Sequence, residues 1–230
     1  MEIEPIARLR CDLTGKFGIP RQSGLVESLE GEVVFAPRYR DREALRGIEG
    51  FSHLWLIWEF SANPAAGERW SPTVRPPRLG GNVRLGVFAT RSPFRPNNLG
   101  LSCVRLLGLR EDRALGTVLR ISGADLMDGT PIYDIKPYIP YADCHPEAAG
   151  GFASRTPEPL AVDCPPALLA PLGPEKRDAL LGILAQDPRP RYQRDPERIY
   201  GLDYAGFNVR FRVEGGAVRV LELQPLRSST

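Results

Sequence analysis

Hydrophobic positions in the first two-thirds of the chain fall in short runs whose length and alternation are typical of β-strands. Candidate strands cover residues 31–35, 54–60, 86–89, 101–109 and 115–121, and Gly, Pro and Asn residues separate them. A short helix is predicted over residues 41–48. Many short strands at fairly even spacing favour a barrel or a sandwich over a sheet built from strand–helix–strand units.

The last third of the chain has a different pattern. Residues 142–174 are rich in Ala, Pro and Gly, which is typical of a connector or an extended arm. An apolar stripe at helical spacing then predicts a helix from Pro174 to Gln186; its members are Ala179, Leu180, Ile183 and Leu184. Two alternating runs, 209–213 and 218–223, flank Glu214-Gly215-Gly216, which is a hairpin-turn sequence.

These patterns predict a mainly β protein in three parts. Residues 1–145 form a β-barrel domain, residues 146–173 a connector or arm, and residues 174–230 a small α+β C-terminal domain. A hydrophobic content of 42% is enough for a sizeable core.

Charge and composition restrict the functional classes. Lys and Arg total 30 against 28 Asp and Glu, and a net charge of +2 is too small to indicate nucleic-acid binding by itself. Almost all the cations are arginines, which favour phosphate and stacking contacts where they cluster. The four cysteines form no C-x-x-C pair, the opening residues 1–5 are charged, and no apolar run approaches the ~20 residues of a membrane span. We therefore expect a soluble, cytoplasmic protein without disulfides.

Three irregular, polar segments are candidates for chemistry: residues 16–24, 88–100 and 125–138. The second places Arg91 and Arg95 among prolines, which stiffen a loop and lower the entropy cost of holding a ligand. Arginine side chains there suit phosphate, carboxylate or a stacked base. A surface turn with two solvated arginines explains the same residues equally well.

The third segment offers carboxylates beside a turn. Asp125 and Asp128 could accept hydrogen bonds from ribose hydroxyls or an amino group, or Asp128 could cap the Asp128-Gly129 turn. Asp134 and Lys136 lie on one side of an extended segment, so a surface ion pair is their simplest interpretation.

Other enzyme classes have little support in the sequence. His53, which precedes the aromatic strand, is better explained as a packed side chain than as a catalytic base. His145 follows Cys144, but no further ligand lies at a zinc-like spacing, so we expect no metal. The chain contains no nucleophile-elbow, Walker or dinucleotide-binding motif, which argues against a doubly wound domain.

Together the three segments resemble the signature of the TrmO (TsaA-like, UPF0066) family of tRNA methyltransferases over roughly residues 8–141. Matching stretches are 50–55, 75–82, 86–92 and 128–138, while 186–190 and 207–210 resemble the C-terminal extension of bacterial members. Asn98 stands where the family usually has Pro, and Met127 where it often has Leu or Val. Neither change removes a charge or a donor.

The resemblance implies a β-barrel that binds S-adenosylmethionine near a homodimer interface. The implied reaction transfers a methyl group to N6 of N6-threonylcarbamoyladenosine (t6A) at position 37 of threonine tRNA with a GGU anticodon. The cofactor residues implied by motif matching are Pro20, Arg21, Gln22, His53, Leu54, Arg91, Leu101, Asp128, Gly129, Thr130 and Pro131. Arg91 or Arg21 would bind the methionine carboxylate.

No catalytic base is identified from the sequence. Most of the acceleration is expected from positioning the reactants for in-line displacement, and the urea-like N6 needs a weak base or none. Asp134 and Tyr138 are the candidates for that base.

Two alternatives remain open: a methyltransferase of the same fold with another substrate, and a non-catalytic RNA-binding module. Candidate tRNA contacts are Arg95, Lys136, Arg189 and Arg191, with Arg210 added in the RNA-binding alternative. Solvated arginines partly neutralised by Asp187 and nearby acids explain the tail equally well. Because the cofactor site is expected in the barrel, removing residues from Asp187 onward should leave cofactor affinity nearly unchanged.

Overall fold

The computed structural model describes residues 2–62, 70–80, 82–189 and 195–226. Within these ranges the strands are, in chain order, β1 (Ala7–Cys11), β2 (Glu30–Phe35), β3 (His53–Glu59), β4 (Thr73–Val74), β5 (Leu85–Gly86), β6 (Leu99–Asp112), β7 (Gly116–Ser122), β8 (Pro131–Pro137), β9 (Ala161–Asp163), β10 (Tyr200–Tyr204), β11 (Phe207–Glu214) and β12 (Ala217–Pro225). The helices are α1 (Pro140–Asp143), α2 (Pro166–Leu169) and α3 (Pro174–Ala185).

Six strands close into an antiparallel barrel in the order β1-β2-β7-β6-β3-β8. Successive side chains of a strand point alternately into and out of the barrel. In β3 the inward residues Leu54, Leu56 and Trp58 are buried, and they pack in one core with Leu119 and Ile121 of β7. Closure leaves none of these strands as a free sheet edge. The predicted mainly β barrel is confirmed.

Two local predictions in the barrel were wrong. Residues 41–48 form two short 3-10 turns, Arg42–Leu45 and Ile48–Gly50, because Gly47 between them has a φ of 86° that no α-helix accommodates. Residues 86–89 are mostly a 3-10 turn, Val87–Ala89, and only Leu85–Gly86 pairs with another strand.

The C-terminal unit packs α3 against a four-stranded sheet ordered β10-β11-β12-β9. The predicted helix and hairpin are both confirmed. Glu214 pairs with Ala217 across Gly215 and Gly216, whose φ values of 56° and 79° match the two-residue turn that requires positive φ at both positions.

The predicted connector, 146–173, contains more structure than its composition indicated. Its second half contributes β9, which pairs in parallel with β12, and α2, whose Leu168 and Leu169 pack on the C-terminal core. Pairing at a distant sheet edge leaves no local signal, so composition alone misassigned these residues. The residues of the predicted arm that lie between α1 and β9 are mostly exposed.

The barrel and the C-terminal unit have separate cores, and the segment that follows β1 belongs to the second. After β1 the chain crosses to the C-terminal unit, where Leu13, Val26 and Leu29 are buried against α3 and the sheet. The Phe17 ring stacks on Tyr200 at 6.2 Å between ring centroids. We call residues 12–29 the crossing segment. It includes the first of the polar segments singled out from the sequence, which is therefore anchored in the C-terminal unit.

Candidate cofactor and substrate site

A cavity of about 640 Å³ lies where the crossing segment meets the ends of β3 and β6. Its other walls are the arginine loop around residues 91–95 and the turn around residues 125–130. The volume is in the range of small-molecule and cofactor sites. All three polar segments singled out from the sequence therefore contribute to one cavity.

One wall of the cavity is aromatic. Trp58 and Phe60, at the end of β3, have ring centroids 4.3 Å apart at an interplanar angle of 60°. Gly100 lies opposite Trp58 in the β3–β6 ladder, and a Cβ at this position would overlap the indole ring. The glycine therefore makes room for the Trp58 ring in the cavity wall.

Arg91 joins two of the three segments, because its Nη1 donates a hydrogen bond to Gln22 Oε1. Both side chains line the cavity. A guanidinium held in this way suits a carboxylate or phosphate group of a ligand.

Asp125 is a partly buried carboxylate in the cavity wall. Its Oδ1 accepts a hydrogen bond from Ser102 Oγ, and Ser102 in turn accepts one from Trp58 Nε1 at 2.9 Å. Burial raises the pKa of Asp125, while the Ser102 hydrogen bond, backbone N–H groups including that of Ser23, and the Arg91 charge act in the opposite direction.

The other two arginines of the cavity wall, Arg21 and Arg95, donate hydrogen bonds to backbone carbonyls. Arg95 donates hydrogen bonds to the carbonyl oxygens of Ser92, Val87 and Thr90 at 3.0, 3.2 and 2.6 Å, which fixes the shape of its own loop. Arg21 Nη2 donates to the carbonyls of Asp187 and Arg189 at 3.3 and 3.2 Å, which ties the cavity wall to the C-terminal unit.

The structure brings six of the motif-matched cofactor residues into the cavity wall: Pro20, Arg21, Gln22, Arg91, Leu101 and Thr130. Asp128, Gly129 and Pro131 do not line it. Asp128 Oδ1 accepts from the Cys11 backbone N–H at 2.9 Å, and the Gly129 N–H donates to the Leu9 carbonyl. These two hydrogen bonds tie the Asp128–Pro131 turn, which carries Thr130, to β1.

His53 and Leu54 lie at the other end of β3 from the cavity. Leu54 is fully buried in the barrel core. The His53 ring is 6.1 Å from that of Tyr138 and its Nδ1 is 2.9 Å from Ser52 Oγ. Within one copy of the chain neither residue reaches the cavity.

The two candidate bases lie outside the cavity as well. Asp134 Oδ2 pairs with Lys136 Nζ at 3.0 Å on an exposed face of the barrel, as the spacing indicated. Tyr138 packs beside Trp55, with 5.9 Å between ring centroids, and desolvation raises the pKa of its hydroxyl.

The candidate tRNA contacts are dispersed. Arg189 forms a bidentate pair with Asp187 at 2.8 and 3.1 Å, and its side chain is 17% exposed. Arg210 lies opposite Glu222 in the hairpin. Arg191 lies outside the described residues.

Sequence reasoning missed the aromatic wall and Ser102. Trp58 and Ser102 are inward positions of β3 and β6, and Ser102 is 1% exposed among apolar neighbours. A polar residue at an inward position of an otherwise apolar strand was the signal that could have found it.

Two kinds of site are absent from the part of the chain that the structure describes. No group of three or more His, Cys, Asp or Glu side chains there could hold a metal ion. No helix in those ranges has the length and apolar character needed to cross a membrane.

The fold and the cavity define a β-barrel protein with a cation-lined binding site of nucleotide size, and not a doubly wound nucleotide-binding domain. The family described as "tRNA-methyltransferase O N-terminal domain" matches residues 8–144, and "TrmO C-terminal domain" matches residues 157–226. The chain belongs to the TrmO family.

Relatives and solved structures agree with this assignment. The chain is 41% identical to the tRNA (adenine(37)-N6)-methyltransferase of Escherichia coli K12, over 97% of this chain and 98% of that protein. It is 40% identical, over 96% of both chains, to a Pseudomonas aeruginosa protein whose name assigns it provisionally to the S-adenosylmethionine-dependent methyltransferases. A crystal structure of TrmO from P. aeruginosa superposes with a TM-score of 0.80 at 35% identity, covering 97% of each chain. The cofactor of the family is S-adenosylmethionine.

Proposed function

We propose that this protein is an S-adenosylmethionine-dependent tRNA methyltransferase that methylates N6 of the adenine at position 37. Near-complete coverage of TrmO relatives supports the activity. The observation that carries the proposal is the single cavity in which the Arg91–Gln22 pair, the Asp125 carboxylate and the Trp58–Phe60 wall come together.

The cavity fits the cofactor chemically. Arg91 suits the methionine carboxylate, and the aromatic wall with Leu101 suits the adenine. Pro20, Arg21, Gln22 and Thr130 complete the wall. Arg21 bonds this wall to the C-terminal unit, and Asp128 bonds the turn that carries Thr130 to β1. Bound there, the cofactor supplies an electrophilic methyl group, and the chain's residues exclude water and fix the line of approach.

The finer substrate we propose is t6A at position 37 of threonine tRNA with a GGU anticodon. Lys16, Arg21, Arg91 and Arg95 outnumber the carboxylates Glu59 and Asp125 among the charged residues lining the cavity. This excess of positive charge suits a substrate that carries a carboxylate on its threonyl group as well as phosphates.

We further propose that two copies of the chain form a homodimer in the cytoplasm, where the tRNA substrate is found. Large apolar side chains are exposed beside the cavity: Phe88 is 77%, Leu101 54% and Phe94 48% exposed. A second copy covering this face is the arrangement in which His53 can contribute to a cofactor site, whereas Leu54 stays buried in its own barrel core. Sedimentation of a fully active monomer would contradict it.

Contacts to tRNA are proposed at Arg95 in the cavity wall and at Lys136 and Arg189 outside it. Arg95 and Arg189 already bind carbonyls or a carboxylate of their own loops, and Lys136 pairs with Asp134. Their expected role is therefore to shape the surface that faces the tRNA, in addition to any phosphate contact. Arg191 remains a candidate contact.

The decisive experiment combines mass spectrometry and calorimetry. Purified protein is incubated with S-adenosylmethionine and tRNA, and the nucleosides are analysed for a methylated t6A. Appearance of that nucleoside in threonine tRNA supports the full proposal, and methylation of another nucleoside supports a related enzyme with a different substrate. Binding of tRNA without binding of S-adenosylmethionine would indicate the RNA-binding module instead.

A further inference from the structure

The Asp125 carboxylate is held by hydrogen bonds that begin in the barrel core. Trp58 Nε1 donates to Ser102 Oγ, and Ser102 Oγ donates to Asp125 Oδ1. Trp58 is 7% and Ser102 1% exposed, so both are fixed by packing. This arrangement determines the orientation of a carboxylate that lines the cavity.

This carboxylate keeps hydrogen-bonding capacity for a bound group. An ionised carboxylate offers about four lone-pair positions. Asp125 Oδ1 accepts from the Ser102 hydroxyl, and the backbone N–H groups of Asp125 and Ser23 favour the ionised form. The side chain lines the cavity, so its remaining acceptor positions can meet a group bound there.

Two of the charged groups that line the cavity are carboxylates, and Asp125 is the one held by the Trp58–Ser102 hydrogen bonds. Lys16, Arg21, Arg91 and Arg95 are cations. Glu59, the second carboxylate of the lining, accepts a hydrogen bond from Tyr133 Oη at 2.7 Å. Asp134 and Tyr138, the sequence candidates, are outside the cavity.

We propose that Asp125 is the catalytic residue that accepts the N6 proton during methyl transfer, with Ser102 and Trp58 as its positioning residues. This inference rests on the proposed function. The N6 lone pair forms the new N–C bond, and the S–CH₃ bond breaks with its electron pair remaining on sulfur. The N6–H bond breaks, its electron pair stays on nitrogen, and the proton passes to Asp125 and later to water.

The environment of Asp125 suits this role. A base works best when its pKa lies closer to the working pH than that of an ordinary carboxylate. Burial raises the pKa of Asp125, as that role requires. The Ser102 hydrogen bond and the Arg91 charge favour the ionised form and keep the carboxylate available.

The test compares Asp125→Asn, Ser102→Ala and Asp134→Asn with the parent, and uses Asp163→Asn on the exposed strand β9 as the control. For Asp125→Asn we expect kcat to fall about 100-fold or more, with affinity for S-adenosylmethionine by calorimetry and the Tm close to those of the parent. The acid limb of the kcat–pH profile should disappear. Asp134→Asn and Asp163→Asn should remain active.

Ser102→Ala keeps the carboxylate but removes a hydrogen bond to its ionised form, so the acid limb should move to higher pH. This shift tests the proposal even if Asp125→Asn folds poorly. An Asp125→Asn variant with parental kcat would overturn it, as would a loss of cofactor affinity that matches the loss of activity, or an unmoved acid limb in Ser102→Ala. A parent protein that methylates no tRNA would contradict the proposed function itself. An active parent beside an equally active Asp125→Asn variant would contradict the role of Asp125 and leave the proposed function standing.

Discussion

Three arginines that the sequence places in candidate loops have different partners in the structure. Arg91 meets the Gln22 side chain in the cavity, Arg95 donates to carbonyls of its own loop, and Arg21 donates to carbonyls of the C-terminal unit. Residue type made all of them equal candidates for ligand binding. Arg91 makes its contact with a side chain that itself lines the cavity.

Replacing Arg91 with Ala should weaken S-adenosylmethionine binding about 10- to 100-fold, because a charge-assisted hydrogen bond contributes about 1.5–3 kcal/mol. The Tm should stay near that of the parent, since Arg91 is exposed and its partner Gln22 is a loop side chain. Calorimetry and thermal unfolding measure the two quantities. Arg46→Ala, at an exposed arginine in a surface ion pair, is the control, and equal affinities in both variants would refute the assignment.

A second residue-scale prediction concerns Asp112. Its hydrogen bond from Arg110, together with the Ala114 and Leu115 N–H groups, lowers the pKa of Asp112 to about 2. A depressed folded-state pKa adds stability that is fully present above the ordinary value of about 3.9 and is lost as the pH falls through about 2. Asp112→Asn should therefore unfold at lower urea than the parent at pH 7, and the difference should shrink between pH 4 and pH 2. A difference independent of pH would contradict this.

At the scale of elements, the cavity depends on the pairing of β3 with β6. Their register places Gly100 opposite Trp58 and Ile57 opposite Leu101. Alternation then directs Trp58 inward, where it contacts Ser102, and leaves Leu101 exposed at the rim. A substitution at Trp58, Gly100 or Leu101 should therefore change the cavity wall.

Gly100→Ala tests this dependence. The added methyl group would overlap the Trp58 ring, and overpacking of this kind costs about 1–3 kcal/mol. Displacement of the indole should also weaken S-adenosylmethionine binding and change the tryptophan fluorescence. Gly86→Ala is a matched control, because a Cβ there has no neighbour within 4 Å and φ is −56°. If the two variants have the same Tm and affinity, the close approach of Gly100 to Trp58 is unimportant.

At the scale of the whole molecule, the crossing segment makes the two units interdependent. Its apolar residues complete the C-terminal core, Asp12 Oδ1 pairs with Lys176 Nζ of α3 at 2.9 Å, and Arg21 reaches the carbonyls after α3. The same segment carries Pro20, Arg21 and Gln22 into the cavity wall. The structure thus argues against the expectation that removing the tail leaves cofactor affinity unchanged.

Phe17→Ala should expose this coupling. Phe17 lies outside the cavity wall, stacked on Tyr200 and Phe211 in the C-terminal core, so its loss should cost about 3 kcal/mol and loosen Pro20–Gln22. We expect S-adenosylmethionine affinity to fall about 10-fold at a temperature where the variant is folded.

Phe207→Ala is the control, because Phe207 packs on the same core but belongs to β11. It should lower the Tm similarly without changing the affinity. Equal affinities in the two variants would show that the C-terminal unit does not position the cavity wall.

The sequence by itself determined the features that depend on neighbouring residues. The hydrophobic pattern specified four of the six barrel strands, β2, β3, β6 and β7, but not β1 or β8. The apolar stripe specified α3, and Gly215-Gly216 specified the hairpin, because each pattern records local backbone geometry and one buried face. The motifs also identified the three polar segments and the family. These signals lie within short stretches of chain, so they can be recognised in the sequence before the fold is known.

Only the tertiary structure decided which of those residues meet. His53 and Leu101 are on paired strands, yet only Leu101 reaches the cavity, because strand direction and register separate them. Ser102 and Asp125 form a hydrogen bond across 23 residues, and Arg21 reaches a carbonyl 168 positions away. β9 likewise pairs with β12, a strand that is distant from it in the chain. Such contacts follow from strand order and chain crossing, which no local pattern specifies.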